Sequence, residues 1–600
     1  MSRGPRSRNP RIAVPVVLVA ALVIVGLRVL TRPSVSAPDV QRPSPLPAYS
    51  GTCATIVVAA SADSFALLTD LAGEYTRQTN CARVSVLPED SGDVEQALAR
   101  GWDERVDGVF PDVWLPAASS WVELAHEHTP ALVPPPASVP SIAKTPLVIA
   151  MPVPMAQALG WPKHPVGWSE LRALARDPRG WGRYGHAEWG PFRMGKTNPT
   201  VSTSGLHATV AAFAAAGGHT AALTAADVDD PRAQEYVRDL EYSAVHYGTI
   251  VQTFLDNLQK ADDAGDALGY VSAAAVPEKS VWGYNRGDLR STSSTAPPAH
   301  LPPRVKLAAI HPREGTLYAD QPYVVLAGNR TDEAKQAVAS HFLRYLLSEP
   351  VQERFRDVAF RDARGAAGPV IKDDPLLTVG SPKALPVPPA AVLDRVTNAW
   401  LSALRKRARV LVLLDVSGSM NNIVPGTGQT RLQLAKQATR QALELFAPDD
   451  DVGLWTFTTA SDGRPVHEEV APIAAIGPRL AGLKNRIDHL ATGNDTPLYQ
   501  VTDDAVRQVR DTYDPDRINA VVLVTDGRQD PPDDAALLRL RGTLTADAAR
   551  QAPVRVFSIG YAEADEAALK SISDDSQGSY YPASDPATIE KVLRGVVSNF

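Results

Sequence analysis

The chain of 600 residues is longer than one hydrophobic core supports, because single cores stop growing at about 250–300 residues. Its composition, 44% apolar and 21% charged, is that of a globular protein rather than a disordered one. A net charge of −7 argues against a nucleic-acid partner, whose phosphates require a basic face. The sequence therefore predicts two or three globular domains and no nucleic-acid partner.

The N-terminus has the pattern of an export signal. Positive charge ahead of an apolar run orients the N-terminus toward the cytoplasm. We expect a basic cytoplasmic tail at 1–11 and a transmembrane signal anchor at 12–30, which places the bulk of the chain outside the cell. The alternative is a cleaved signal peptide and a secreted protein, since the run is somewhat short for a bilayer. The basic residues of the tail are Arg3, Arg6, Arg8 and Arg11.

The two cysteines, Cys53 and Cys81, lie early in the part expected to be exported. In an oxidising compartment such a pair usually forms a bridge. Closing a loop of about thirty residues would stabilise the fold by about 3–4 kcal/mol in the chain-entropy model. We predict a Cys53–Cys81 disulfide, and the alternative is two buried free thiols.

Proline-rich stretches divide the exported part into segments. A linker is predicted at 31–50 and an α/β segment at 51–365, which opens with an apolar strand. A second proline-rich stretch and a helix form the connection at 366–405, and a last domain occupies 406–600. Strands and helices alternate in both long segments, which is typical of sheets with parallel strands. The predicted fold class is α/β.

The strongest motif follows the first strand of the last domain. That apolar strand ends in Asp415, and Ser417 and Ser419 follow at alternate positions. Later segments supply Thr496 and, after another apolar strand, Asp526. Open α/β folds bind ligands at the edge where such strands end. Together these positions resemble the metal-ion-dependent adhesion site of the von Willebrand factor A family, whose pattern is Asp-x-Ser-x-Ser, then a Thr, then an Asp.

This resemblance implies a Rossmann-like, doubly wound domain that binds Mg²⁺, or Mn²⁺ or Ca²⁺ in its place. Ser417, Ser419 and Thr496 would offer their hydroxyl oxygens directly to the metal. Asp415 and Asp526 would act through those hydroxyls or through waters. A metal short of direct negative charge stays electrophilic, so an acidic side chain of a partner protein can complete its shell. Two alternatives stay open: ordinary turn chemistry at each motif, or a metal that binds without a protein partner.

The segment at 51–365 resembles the bacterial extracellular solute-binding proteins, the two-lobed type also called periplasmic binding protein type 2. The resemblance rests on residues 61–64, 111–114 and 198–205, and on the closing helix at 347–355. It implies ligand contacts at helix N-termini between two lobes, where anions are favoured. Two alternatives to solute binding stay equally open. Each residue can instead cap a helix or hydrogen-bond within its loop, and the cleft can serve as a structural or protein-binding platform. The residues implied are Ser61, Ser64, Asp112, Trp114, Thr200, Ser202, Ser204 and Glu278.

Residues 190–197 match the nucleotide-binding P-loop letter for letter, but we expect no nucleotide there. The loop holds Pro, Phe, Arg and Met where phosphate approach requires small residues, and Pro199 disfavours a helix directly after Lys196. The sequence also lacks the Gly-x-Ser-x-Gly and His-Glu-x-x-His motifs of hydrolases. We therefore expect a binding protein rather than an enzyme.

The whole sequence predicts a membrane-anchored extracellular protein that binds a protein partner through a divalent metal. The solute-binding-like module would take a small-molecule solute and report on it through the connecting helix at 390–405. One alternative is the substrate-binding receptor of an ABC-type transport system. The other is a surface metal-dependent hydrolase, which hydroxyl-rich metal ligation disfavours.

Overall fold

The computed structural model describes Met1 and residues 49–600, apart from 249, 291, 294–297, 329–331, 378–381, 549–552 and 584–588. The predicted membrane anchor at 12–30 lies outside the described residues. Within them, no helix combines the length and the apolar character that crossing a bilayer demands.

Two sheets organise the first part of the chain. Its strands are Thr55–Ala60 (β1), Arg83–Pro88 (β2), Val113–Leu115 (β3), Ala143–Pro152 (β4), Met194–Gly195 (β5), Ala273–Pro277 (β6), Leu307–Ile310 (β7), Tyr318–Ala319 (β8), Val324–Val325 (β9) and Arg361–Asp362 (β10). Its helices are Ala62–Thr79 (α1), Ser91–Arg100 (α2), Glu104–Asp107 (α3), Ser119–His128 (α4), Val153–Ala158 (α5), Trp168–Ala175 (α6), Thr203–Gly217 (α7), Ala225–Asp229 (α8), Pro231–Glu241 (α9), Val251–Asp263 (α10), Ala267–Tyr270 (α11), Glu278–Arg286 (α12), Glu333–Leu346 (α13), Glu349–Asp357 (α14) and Pro369–Lys372 (α15).

Each sheet forms the centre of one lobe. The first lobe is built on the order β2-β1-β3-β9, in which β1 runs parallel to β2 and β3. The second lobe is built on β10-β4-β6-β5, with β7 and β8 also pairing with β4. The consecutive residues Val58 and Ala59 of β1 point to opposite faces and are both buried, as expected for a strand covered by helices on both faces. The predicted two-lobed α/β architecture is confirmed.

The predicted disulfide is confirmed. Cys53 and Cys81 are bonded, with Cα atoms 5.1 Å apart. The two residues lie just before β1 and β2, whose register pairs Thr55 with Arg83. The bridge therefore joins the start of two neighbouring parallel strands.

The last part of the chain folds around one six-stranded sheet. Its strands are Arg407–Asp415 (β11), Asp451–Thr459 (β12), Pro465–Ala475 (β13), Arg517–Thr525 (β14), Arg555–Tyr561 (β15) and Tyr580–Ala583 (β16), in the order β13-β12-β11-β14-β15-β16. Its helices, with the connecting helix first, are Ala390–Ala399 (α16), Arg431–Leu443 (α17), Leu480–Asp488 (α18), Leu498–Asp511 (α19), Asp534–Ala548 (α20), Glu566–Asp575 (α21) and Ile589–Val597 (α22). All strand pairs are parallel except β12 with β13. The predicted doubly wound sheet is therefore confirmed.

Alternation of side chains explains why β11 lies at the centre of this sheet. Leu411 and Leu413 join a core cluster with α19 on one face, while Val410 and Val412 join the cluster on the other face. A strand buried on both faces needs apolar residues at consecutive positions, which is what the sequence supplies. Parallel neighbours on both sides place the carboxyl ends of β11, β12 and β14 at one edge.

A buried polar network fixes the last sheet to the second lobe. The carboxylate of Glu241 pairs with the ammonium of Lys196 and accepts a hydrogen bond from Trp400 Nε1 at 3.0 Å. Tyr247 donates its hydroxyl to the same carboxylate, and its backbone N–H to the carbonyl of Asn599 at 2.9 Å. Lys196 is the lysine of the P-loop-like run, and here its charge is neutralised within the protein.

Candidate functional site

The carboxylate of Asp415 lies at the end of β11 and is fully buried. Its Oδ1 accepts the backbone N–H of Ser417 at 2.8 Å, and its Oδ2 accepts the hydroxyl of Thr525 at 2.5 Å. Burial raises the pKa of Asp415 to about 6, and the negative charge of Asp526 adds to the effect. The carboxylate is thus held in one orientation at the edge of the sheet.

Two serine hydroxyls connect this strand end to the next one. Ser419 donates to Oδ1 of Asp526 at 2.8 Å, and the hydroxyls of Ser417 and Ser419 lie 3.2 Å apart. Asp526 directly follows β14 and is also fully buried. Burial raises the pKa of Asp526, while hydrogen bonds from Arg431 and Ser419 lower it. Adjacent parallel strands thus place both carboxylates and both serines in one cluster.

Thr496 reaches the cluster from a separate loop. The backbone of that loop is anchored because Gly418 N–H donates to the carbonyl of Asn494 and Gly493 N–H to the carbonyl of Val416, each at 2.6 Å. A methyl group placed on Gly527 would lie 3.2 Å from the hydroxyl oxygen of Thr496. The same methyl would lie 3.7 Å from the hydroxyl oxygen of Ser419. Gly527 therefore leaves open the small space that these hydroxyls border.

The structure brings together all five residues predicted to form the metal site. Three hydroxyls and two carboxylates make an all-oxygen donor set, which suits a hard divalent cation. Among the described residues, no group of three or more His, Cys, Asp or Glu side chains is arranged to hold a metal. A metal at this edge would consequently depend on neutral hydroxyl ligands. The donor types and the space beside Gly527 fit Mg²⁺ or Mn²⁺, and the role of the five residues as ligands stays a prediction.

Sequence reasoning missed one charged residue of this site. Arg431, the first residue of α17, donates from Nη1 to Oδ2 of Asp526 at 2.7 Å. Its Nη2 lies 2.5 Å from a carboxylate oxygen of Glu563. No spacing rule links an arginine at a helix start to a carboxylate ninety-five positions later, so the sequence carried no signal for this contact.

The predicted solute cleft between the lobes is nearly closed. Ser61, Ser202 and Ser204 line a cavity of about 30 Å³ in this cleft. Backbone groups meet across it, because Gly92 N–H donates to the carbonyl of Val201 at 3.0 Å. A space of this size accommodates about one or two water molecules and no sugar-sized ligand.

The other predicted cleft residues make contacts within the protein. Ser64 hydrogen-bonds the backbone carbonyl of Ser61 at 3.4 Å, and the carbonyl of Thr200 accepts from Gln96 of the first lobe at 2.8 Å. Trp114 is buried in the core. The remaining two are paired, Asp112 with Lys335 at 2.9 Å and Glu278 with Arg361 and His311 at 3.0 Å each.

Five polar residues outside the predicted set also line the cavity, namely Asp63, Asp90, Ser91, Thr203 and Gln252. Loss of surrounding water raises the pKa values of both carboxyls, and Asp93 raises that of Asp90 further. Gln252 is buried, and its Oε1 has no hydrogen-bond partner among the described residues. Asp90 precedes α2 just as Ser61 precedes α1, so the same strand-to-helix pattern could have identified it. Gln252 belongs to the other lobe and had no such signal.

Comparisons with known proteins assign both parts of the chain to families. The model of the bacterial extracellular solute-binding proteins matches residues 56–361. The model of the von Willebrand factor type A domain matches residues 410–594. An uncharacterized protein of Mycobacterium tuberculosis is 24% identical over 512 residues, which cover 83% of this chain and 69% of that protein.

Solved structures of both kinds resemble parts of the chain. A von Willebrand factor type A protein from Catenulispora acidiphila matches 33% of this chain and 43% of its own, with 21% identity and a TM-score of 0.28. A periplasmic binding protein from Actinobacillus pleuropneumoniae, solved with fructose-6-phosphate, matches 58% of this chain and 97% of its own, with 15% identity and a TM-score of 0.39. The sulfate-binding protein of Mycobacterium tuberculosis matches 54% of this chain and 92% of its own, with 14% identity and a TM-score of 0.35.

Proposed function

We propose a divalent-metal-dependent binding function for this chain, which belongs to the bacterial extracellular solute-binding protein family and carries a von Willebrand factor type A domain. The family indicates a location outside the cytoplasm, extracellular or periplasmic. Both domain types indicate a binding protein. The proposal is that the C-terminal domain holds Mg²⁺ or Mn²⁺ and that this ion binds an acidic side chain of a partner protein.

The observation that carries the proposal is the hydroxyl-rich cluster at the carboxyl edge of β11 and β14. Ser417, Ser419 and Thr496 would bind the ion with neutral oxygens, while Asp526 orients the hydroxyl of Ser419 and Asp415 fixes the backbone of Ser417. Neutral ligands leave most of the ionic charge uncompensated, so the ion attracts a carboxylate. When bound, the ion would supply an open coordination position that a carboxylate oxygen of the partner can occupy.

The surface around the cluster favours access by a macromolecule. Gly418 and residues 491–495 are exposed, and Ser419 is half-buried. A partner can therefore approach the edge of the sheet without displacing a covering segment of the described chain. Two sequence predictions join the proposal. One is the membrane anchor at 12–30, and the other is a solute role for the cleft between the lobes, which requires the cleft to open because the closed form admits no sugar-sized ligand.

The proposal is tested by titrating Mn²⁺ into the full chain in a calorimeter, beside an Asp415→Ala variant. Asp511→Ala is the matched control, because Asp511 ends α19 about 20 Å from the helix start that adjoins Thr496. We expect saturable single-site binding in the wild type and in the control, and none in Asp415→Ala. Equal binding in all three proteins would place the ion elsewhere, and no binding in the wild type would overturn the proposal.

A further inference from the structure

A buried arginine contacts the candidate metal site from outside the motif. Arg431 is the first residue of α17, whose start is fixed because Thr430 and Gln433 cap each other's backbone N–H groups. The guanidinium bonds Oδ2 of Asp526 at 2.7 Å and lies 2.5 Å from the carboxylate of Glu563. Each oxygen of Asp526 therefore has one partner, a serine hydroxyl or this guanidinium.

Helix stability does not explain an arginine at this place. The first turn of a helix carries partial positive charge, so a cation there is disfavoured. Arg431 is nevertheless only 9% exposed, and a buried charge requires a partner. Asp526 is fully buried, whereas the side chain of Glu563 is 70% exposed and largely screened by water. The contact with Asp526 is therefore the interaction that holds Arg431 at this position.

This contact changes the charge that the site presents to a cation. Asp415 and Asp526 bring two negative charges and Arg431 one positive charge, so the site carries −1 instead of −2. We propose that Arg431 lowers the affinity of the site for the divalent ion. By leaving the occupied site with a net positive charge, Arg431 also raises the affinity of the bound ion for a partner's carboxylate. This inference rests on the proposed function and names the residue that selects an acidic ligand.

The two consequences have opposite signs, which separates this role from a structural one. Without the charge of Arg431, the ion binds more tightly because both carboxylates attract it fully. The bound ion then retains less positive charge and attracts a carboxylate less strongly. If Arg431 only oriented Asp526, its removal would weaken the binding of the ion and also the binding of the carboxylate.

The test uses the full chain and two ligands, Mn²⁺ measured by calorimetry and acetate measured by water-proton relaxation of the Mn²⁺-loaded protein. In Arg431→Gln we expect about tenfold tighter Mn²⁺ binding and about tenfold weaker acetate binding, the effect of one charge a few ångströms from a divalent ion. Arg431→Lys keeps the charge and should stay within about threefold of the wild type for both ligands. Thermal unfolding of each variant checks that the fold is retained.

Glu563→Gln supplies a second test on an exposed residue that the fold does not require. Removing this negative charge should weaken Mn²⁺ binding and strengthen acetate binding, each by up to about threefold because of exposure. The inference is overturned if a folded Arg431→Gln protein binds Mn²⁺ no more tightly than the wild type, or if both affinities move in the same direction. If the wild type binds no Mn²⁺, the proposed function itself is overturned. If the wild type binds Mn²⁺, the variants test the role of Arg431 alone.

Discussion

Replacing Glu241 by Gln tests the buried network that fixes the last sheet to the second lobe. The side chains of Glu241 and Lys196 are 2% and 3% exposed, and Trp400 and Tyr247 donate to the same carboxylate. The amide keeps the size of the carboxylate but not its charge, so Lys196 is left as a buried cation without a counterion. Removing one partner of a buried ion pair costs about 3–5 kcal/mol of unfolding free energy.

The acid–base chemistry of Lys196 sets an upper limit on that loss. A buried lysine can avoid carrying its charge by releasing its proton. Because pH 7 lies about 3.4 units below the ordinary pKa of lysine, this release costs about 4.6 kcal/mol. In the variant the folded state then holds a neutral lysine and the unfolded state a charged one. Folding therefore releases a proton, and the stability of the variant rises with pH by about 1.4 kcal/mol per unit until about pH 10. The defect should thus shrink by about 2–3 kcal/mol between pH 7 and pH 9.

Urea unfolding at pH 7 and pH 9, followed by tryptophan fluorescence, measures both effects. Asp229→Asn is the matched control, because the Arg395–Asp229 pair has side chains 50% and 47% exposed and should contribute less than about 1 kcal/mol. Adding Lys196→Met to Glu241→Gln should recover most of the loss, since no unpaired charge remains. The reasoning is refuted if Glu241→Gln costs no more than the control, or if its defect is equal at both pH values.

Three further predictions concern His207, the disulfide and the candidate metal site. His207 lies on α7 of the second lobe, and its Nε2 is 3.1 Å from the hydroxyl oxygen of Ser120 on α4 of the first lobe. Burial lowers the pKa of His207 to about 3, so its neutral form stabilises the fold above pH 6.5, and this contribution is lost as the pH falls from 6.5 toward 3. At pH 5 the loss is about 2 kcal/mol, and His207→Gln should show a smaller decrease in Tm between pH 7 and pH 5. Reduction of Cys53–Cys81, which are 28 positions apart, should lower the unfolding free energy by about 3–4 kcal/mol in urea melts with and without reductant. Gly527→Ala adds a methyl 3.2 Å from the Thr496 oxygen, and calorimetry should show Mn²⁺ binding weakened by about tenfold or more with little change in Tm.

The C-terminal cluster could be predicted from the sequence because its parts follow from local rules. Asp415 and Asp526 each end an apolar strand, and parallel pairing of β11 with β14 brings the two ends to one edge. Ser417 and Ser419 follow within a few residues, so their positions are tied to the strand end. Arg431 could not be found this way, because its contact depends on where α17 begins in space.

The solute cleft was less predictable because helix starts alone do not specify which side chains face it. Ser61 and Ser202 precede helices and do line the cavity. Glu278, also at a helix start, bonds Arg361 instead, since β10 brings that guanidinium next to it. Trp114 lies on a strand whose residues are all buried, so its direction is set by the sheet and not by the motif. Closure of the cleft itself depends on contacts between lobes that no single segment encodes.

The position of α16 links the two lobes to the C-terminal domain. Its buried Val392, Leu393 and Val396 pack among helices of both lobes, against α4 of the first and α7 and α8 of the second. The C-terminal helix α22 is likewise joined to the first lobe, where Lys591 pairs with Glu89 at 2.9 Å. Opening a cleft requires its lobes to move apart, and elements packed on both lobes must then lose contacts with one of them. A ligand that opens this cleft would therefore act on the orientation of the C-terminal domain as well, which gives the coupling expected from the short connection a physical route.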